Sequence, residues 1–239
     1  MATASPGIAR KLRRAFVWLV AATFALALLW LGWIAAHIGW WRYQAPRETS
    51  FMAQRMDEAR AKNAALKLRY EWVDYGRIAV SLKRAVVAAE DAKFVDHEGF
   101  DWDGIERALE KNQKRGHIVA GGSTITQQLA KNLFLSPRKS YVRKVEEAII
   151  TVLLEAMLDK QRILELYLNV IEWGNGVFGA EAAARFYYGV SAAQLSPQQA
   201  ARLAAMAPNP RFYERHQGAP GLNRKIGIIL GRMPSAELP

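Results

Sequence analysis

A mainly α-helical fold behind a single membrane-spanning helix is the architecture this sequence predicts. One observation is an uncharged run of 22 residues, Ala15 to Ala36, that also lacks histidine. Another is a series of apolar positions at helical spacing from Phe51 onward, several opened by a Ser, Thr or Asp suited to capping. The last is that no run alternates convincingly like a strand.

Composition bounds the rest. With 51% of its 239 residues apolar and 23% charged, the chain can bury enough surface to offset the entropy of ordering, so disorder is excluded. With no cysteine, it has no disulfide framework, thiolate metal site or cysteine nucleophile. The length accommodates one domain of about 150–200 residues and an appendage. Residues 1–47 hold six of the 33 basic residues and none of the 22 acidic ones. Much of the net charge of +11 therefore belongs to the N-terminus, and it argues weakly for nucleic acid as a partner.

At about 1.5 Å per residue the apolar run spans roughly 33 Å, more than a hydrocarbon core of about 30 Å. It is too long for the core of a signal peptide, and no convincing Ala-x-Ala site follows it. Arg10, Lys11, Arg13 and Arg14 precede it, while Trp40, Trp41 and Tyr43 form an aromatic belt beyond it. Residues 15–38 are read as a signal anchor. The basic tail, residues 1–14, then stays in the cytoplasm, and everything after about residue 45 lies outside.

Residues 39–75 form a linker and membrane-proximal segment, in which Phe51 to Leu66 is amphipathic with Met52 and Met56 on its apolar side. Ser81 is a cap for a helix running to Glu90, and Asp101 or Asp103 for another through Ile105, Ala108 and Leu109. After Gly121-Gly122 a helix restarts at Ser123-Thr124. Tyr141 to Leu158 is apolar nearly all round, which predicts a buried central helix. Asp159 caps the next, and helical patterns continue through Ala180–Tyr187 and Pro197–Met206. These segments make one domain, residues 76–215. The tail, residues 216–239, carries no readable pattern.

Three segments concentrate chemistry. Glu90, at a helix end beside Val86 and Ala89, is either a solvated acid or a desolvated carboxylate with a raised pKa, fit to accept a proton. The run Gly121 to Asn132 opens with an ordinary capping box, Thr124 with Gln127. The same glycine-rich turn presents free N–H groups to an anion, with Gln128 and Lys131 on the exposed face. Arg143 and Glu147, four residues apart, form either a structural ion pair or part of a pyrophosphate site with Lys131, Arg138, Lys139 and Lys144. Ser136 to Lys139 fits the S-x-x-K string of penicillin-binding enzymes, but neither S-x-N nor K-T-G is present.

Taken together, the segments resemble the biosynthetic peptidoglycan glycosyltransferases in their monofunctional, single-pass form. The resemblance covers roughly Thr49 to Tyr213. It rests on five strings in order: Glu90-Asp91 with Phe94, His97, Gly99 and Asp101; Gly121 to Leu135; Arg143 to Glu147; Lys160 to Asn169; and Gly176 to Gly179 with Ala182-Ala183 and Tyr187-Tyr188-Gly189. Tyr188 stands where the family usually has Phe, and Lys139 where Arg is frequent.

The resemblance implies a lysozyme-like, all-α domain with a smaller membrane-proximal lobe. It also implies a reaction: lipid-linked disaccharide-pentapeptide polymerised into glycan strands outside the inner membrane, with inversion and release of undecaprenyl pyrophosphate. By carry-over, Glu90 is the base and Glu147 assists at the donor. Lys131, Lys139, Arg143 and Lys144 surround the pyrophosphate. Ser123, Gln127, Gln128 and Asn132 line the donor site, and Asp91, Phe94 and His97 are carried over as substrate-binding. A divalent cation (Mg or Mn) at the pyrophosphate is compatible with the family, although no ligand cluster in the sequence demands one. The expected partners are the lipid precursor, the growing strand and the inner membrane, with cell-wall synthesis or division proteins as further candidates and no nucleic acid. A lytic transglycosylase or muramidase is the alternative, but it would need no pyrophosphate cations.

Overall fold

The computed structural model describes residues 6–117, 121–136 and 140–239. It divides into a unit ending at Tyr43 and a second from Gln44 to Pro239. The first is one uninterrupted helix, α1 (Pro6–Trp41). Among the described residues it is the one helix long and apolar enough to cross a membrane.

In the second unit, α2 (Ser50–Ala61) is capped by Thr49, whose hydroxyl accepts the N–H of Met52. Next comes α3 (Val80–Glu90), which begins one residue before the expected cap. Ser81 instead donates its hydroxyl to the Leu195 carbonyl at 2.8 Å, tying α3 to a later turn. Asp101 caps α4 (Trp102–Arg115), Thr124 caps α5 (Ile125–Phe134), and Asp159 caps α7 (Lys160–Val170). Between the last two lies α6 (Tyr141–Met157), capped by Ser140. The chain ends through α8 (Ala180–Tyr188), α9 (Pro197–Met206), α10 (Pro210–Arg215) and α11 (Pro220–Arg232).

Two helical groups build the core: α3, α9 and α11 pack together, as do α5, α6 and α7. The most enclosed helix is α7, buried at every residue from Ile163 to Val170. The expectation that 141–158 is central is therefore corrected. α6 buries only Glu147, Ile150, Thr151 and Leu154, and leaves Val142, Val145, Ile149 and Val152 exposed on one stripe. Composition cannot tell an apolar face turned to protein from one left open.

A small sheet escaped the sequence reading. In it β1 (Arg69–Tyr70) pairs parallel with β3 (Val177–Phe178), which pairs antiparallel with β2 (Glu172–Gly174). Strands of two or three residues are too short to display a period of two. Gly179 follows with φ of 85°, and a Cβ there would stand 2.6 Å from the Asn169 carbonyl. Asn169 is wholly buried and brackets Val73, accepting its N–H and donating to its carbonyl, both at 2.9 Å. The tail folds as α11, which buries Leu222 and Ile229 against the first helical group.

Candidate active site

Glu90, the last residue of α3, faces α5 across the junction of the two helical groups. Its Oε2 accepts Gln128 Nε2 at 2.7 Å, and Gln128 Oε1 accepts the Tyr167 hydroxyl at 2.9 Å. Burial pushes the Glu90 carboxyl above the usual carboxylate range, against the pull of the Gln128 hydrogen bond and of Lys131 and Lys225. No other hydrogen bond to this carboxylate occurs among the described residues. One oxygen is thus held and the other is free to accept a proton.

One turn along α5, burial lowers the pKa of Lys131, opposed by its attraction to Glu147 and Glu90. This lysine is coupled to both carboxylates. Asn132 donates to the Gln128 carbonyl at 2.8 Å. Gln128, Lys131, Asn132 and Tyr167 line a pocket of about 210 Å³, completed by Arg55 and Arg211 among others. Glu90 itself lines a second pocket of about 260 Å³ with Ala88, Ala204, Lys225, Ile228 and Arg232. Pro208 borders both.

Glu147 lies on the buried side of α6, 4% exposed. Its Oε2 accepts Arg143 Nη1 at 2.9 Å, and Oε1 accepts Lys144 Nζ. Among the described residues Arg143 Nε is buried without a hydrogen-bond partner, whereas half of the Lys144 side chain is exposed. One anion thus organises two cations, leaving net positive charge beside Lys131.

Several of the remaining predicted residues are held by contacts within the fold. Asp91, 6% exposed, is fully engaged: Oδ1 lies 2.9 Å from His97 Nε2 and Oδ2 accepts the Ile125 N–H at 3.0 Å. Phe94 is wholly buried beneath the Lys160 ammonium, 4.7 Å from its ring centroid. Gln127 closes the capping box, accepting the Thr124 N–H at 3.0 Å, so the structural half of that dual reading accounts for its side chain. Ser123 is exposed just before the box. Lys139 lies outside the described residues.

A family profile described as Transglycosylase matches residues 57–234. The chain belongs to the transglycosylase family. It is 64% identical over 214 residues to a "Biosynthetic peptidoglycan transglycosylase" of Dechloromonas aromatica (strain RCB), covering 90% of this chain and 93% of that one. Proteins of the same name from Azoarcus sp. (strain BH72) and Chromobacterium violaceum are 61% and 59% identical. The first alignment covers 91% of this chain and 94% of its relative, and the second 92% and 97%. The all-α fold read from the sequence agrees with membership in the transglycosylase family.

The candidate site of this transglycosylase also holds groups that the sequence reading passed over. Lys225 and Arg232 come from the tail, whose Gly218-Ala219-Pro220-Gly221 start conceals a helix. Arg55 makes a fork to Glu172, with Nη2 to Oε2 at 2.8 Å and Nε to Oε2 at 3.0 Å. Burial still pushes the Glu172 carboxyl up despite that partner. Tyr167 lay inside a quoted string without an assigned role. Only the Lys/Arg content of 224–232 offered a signal.

Among the described residues no group of three His, Asp or Glu side chains could hold a divalent cation. Both Glu147 oxygens already accept from side-chain cations.

Proposed function

We propose that this transglycosylase polymerises peptidoglycan glycan strands from lipid-linked disaccharide-pentapeptide. The carrying observation is a half-buried carboxylate, Glu90, with a raised pKa and one unengaged oxygen, set near a cluster of cations. Glu90 takes the proton of the acceptor sugar's 4-hydroxyl as that oxygen forms its bond to the donor's anomeric carbon. The bond from that carbon to the pyrophosphate oxygen breaks with inversion, and undecaprenyl pyrophosphate leaves with the electron pair. Lys131, Arg143 and Lys144 stabilise the departing charge, and Glu147 holds the last two in place. Lys139 belongs with them by its position in the family string. Gln128 and Asn132 line the donor side, while Asp91, His97, Phe94 and Gln127 support its walls. Cations suited to a leaving phosphate are what a glycan-cleaving enzyme would not need.

The protein resides in the inner membrane with its N-terminus in the cytoplasm and its catalytic unit on the external face, following the basic residues before Ala15. The exposed stripe Val142, Val145, Ile149 and Val152, together with Trp102 and Leu109 of α4, supports work at a lipid surface. Cell-wall synthesis or division proteins are the partners this location offers. The test is incubation of detergent-solubilised protein with purified lipid-linked precursor, followed by sizing of the products. Long glycan is expected from the parent and far less from Glu90→Gln; cleavage of finished glycan instead would refute the reading.

A further inference from the structure

Tyr167 is almost fully buried, 1% exposed, at the heart of α7. A buried phenol must place its hydrogen, and this one donates to Gln128 Oε1. Burial, with Glu90 and Asp91 nearby, holds the phenol far above its ordinary pKa, so it remains a donor at any working pH. The other end of the same amide donates to Glu90 Oε2.

An amide has an acceptor end and a donor end, and rotating it by a half-turn exchanges them. The ionised carboxylate can only accept, so it requires the Nε2 end. Rotated, Gln128 would point an oxygen at Glu90 and leave the phenolic hydrogen without its acceptor. That rotated arrangement suits only a protonated Glu90, which could donate to Oε1. The orientation of one amide is therefore coupled to the protonation of the carboxylate.

We propose that Tyr167 is a positioning residue: through Gln128 it holds Glu90 in the ionised, proton-accepting form and keeps its second oxygen free for the acceptor hydroxyl. The inference rests on the reading of Glu90 as base. The other charged or titratable groups facing Glu90 are Asp91 beside it, Lys131 of α5, and Lys225 and Arg232 of α11; α9 presents alanines there. Among the described residues none of these is hydrogen-bonded to the Gln128 side-chain amide.

The experiment compares the pH dependence of polymerisation for full-length Tyr167→Phe, Gln128→Leu and the double variant, with melting curves for each. In Tyr167→Phe the acid limb of kcat/KM should move upward by about half a pH unit or more, because a hydrogen bond that favours the charged form has been loosened. Turnover near neutrality should fall about three- to tenfold, the worth of one hydrogen bond, with KM for the lipid little changed. Gln128→Leu should move the limb the same way, and adding Tyr167→Phe to it should move the limb no further. A Tyr167→Phe profile that superimposes on the parent overturns the proposal, as does an undiminished effect in the Gln128→Leu background. Should Tyr167→Phe fail to fold, an unshifted limb in Gln128→Leu overturns it equally. Full activity in Glu90→Gln would instead refute the base assignment beneath it.

Discussion

Asp91 accepts the backbone N–H of Ile125 through Oδ2 at 3.0 Å, which fastens the start of α5 to the end of α3. Its neighbour Glu90 meets Gln128 three residues further along α5. The adjacent acids thus divide the work, one anchoring the helix and the other lining a pocket. The anchor also places a negative charge at a helix N-terminus, where the dipole favours it.

Replacing Asp91 by Ala should therefore destabilise the fold before it affects chemistry. Two charge-assisted contacts are lost and a buried N–H is left without its partner, costing about 2–4 kcal/mol. For a unit of this size that corresponds to a fall in Tm of very roughly 5–15 °C. Thermal melts and turnover per folded molecule separate the two effects. An unchanged Tm with lost turnover would place Asp91 in the substrate site instead.

The two carboxylates of the site should respond differently to removal of charge. Glu90→Gln keeps the shape and removes the base, so turnover should fall by about 10²–10⁴-fold or more while donor-lipid binding survives. Glu147→Gln releases Arg143 and Lys144 from the group that organises them, so donor affinity and turnover should fall together. Donor affinity measured beside polymerisation rate distinguishes the roles. Loss of binding in Glu90→Gln with retention in Glu147→Gln would reverse the assignment.

Much of this site was legible because its parts carry local signals. Asp101, Thr124 and Asp159 cap where short polar side chains precede apolar periodicity. Ser81 looks the same in sequence but bonds to Leu195, 114 positions away, and nothing local reveals that. The Arg143–Glu147 pair follows from helical spacing alone, whereas Glu90 and Gln128 meet only through the packing of α3 and α5. The roles of Lys225, Arg55 and Tyr167 depend on long-range packing in the same way. The nearly all-round apolarity of α6 misled for a different reason, since composition cannot tell a face packed on protein from one left exposed.

Glu90 should make the folded protein lose stability as pH rises. Its folded pKa is raised, so between the unfolded value, near about 4.3, and the folded one the native state binds more protons. That contribution is fully present below the unfolded pKa and is lost as pH climbs through the folded pKa. Gln at position 90 cannot ionise and escapes the loss. The Tm of Glu90→Gln relative to the parent should therefore be higher at pH 7.5 than at pH 4 (roughly the two sides of the window). An equal difference at both pH values would show that burial does not penalise this carboxylate.

Removal of residues 1–43 should leave a folded enzyme that works poorly on membranes. The unit from Gln44 to Pro239 contains both helical groups, and every group placed at the site lies within it. α1 is a helix of 36 residues, and none of its residues lines either pocket. Anchoring confines enzyme and lipid precursor to one surface, so its loss lowers their effective concentration without altering the chemistry. With precursor dissolved in detergent, the truncated protein should melt cooperatively and turn over within a few-fold of the full chain. With precursor embedded in vesicles, the rate should fall by about tenfold or more, as expected for a lost tether. A truncated protein that shows no cooperative melt by circular dichroism would make α1 part of the fold. One that polymerises vesicle-bound precursor as fast as the full chain would remove the anchor from the mechanism and leave the exposed apolar faces of α4 and α6 as the membrane contact.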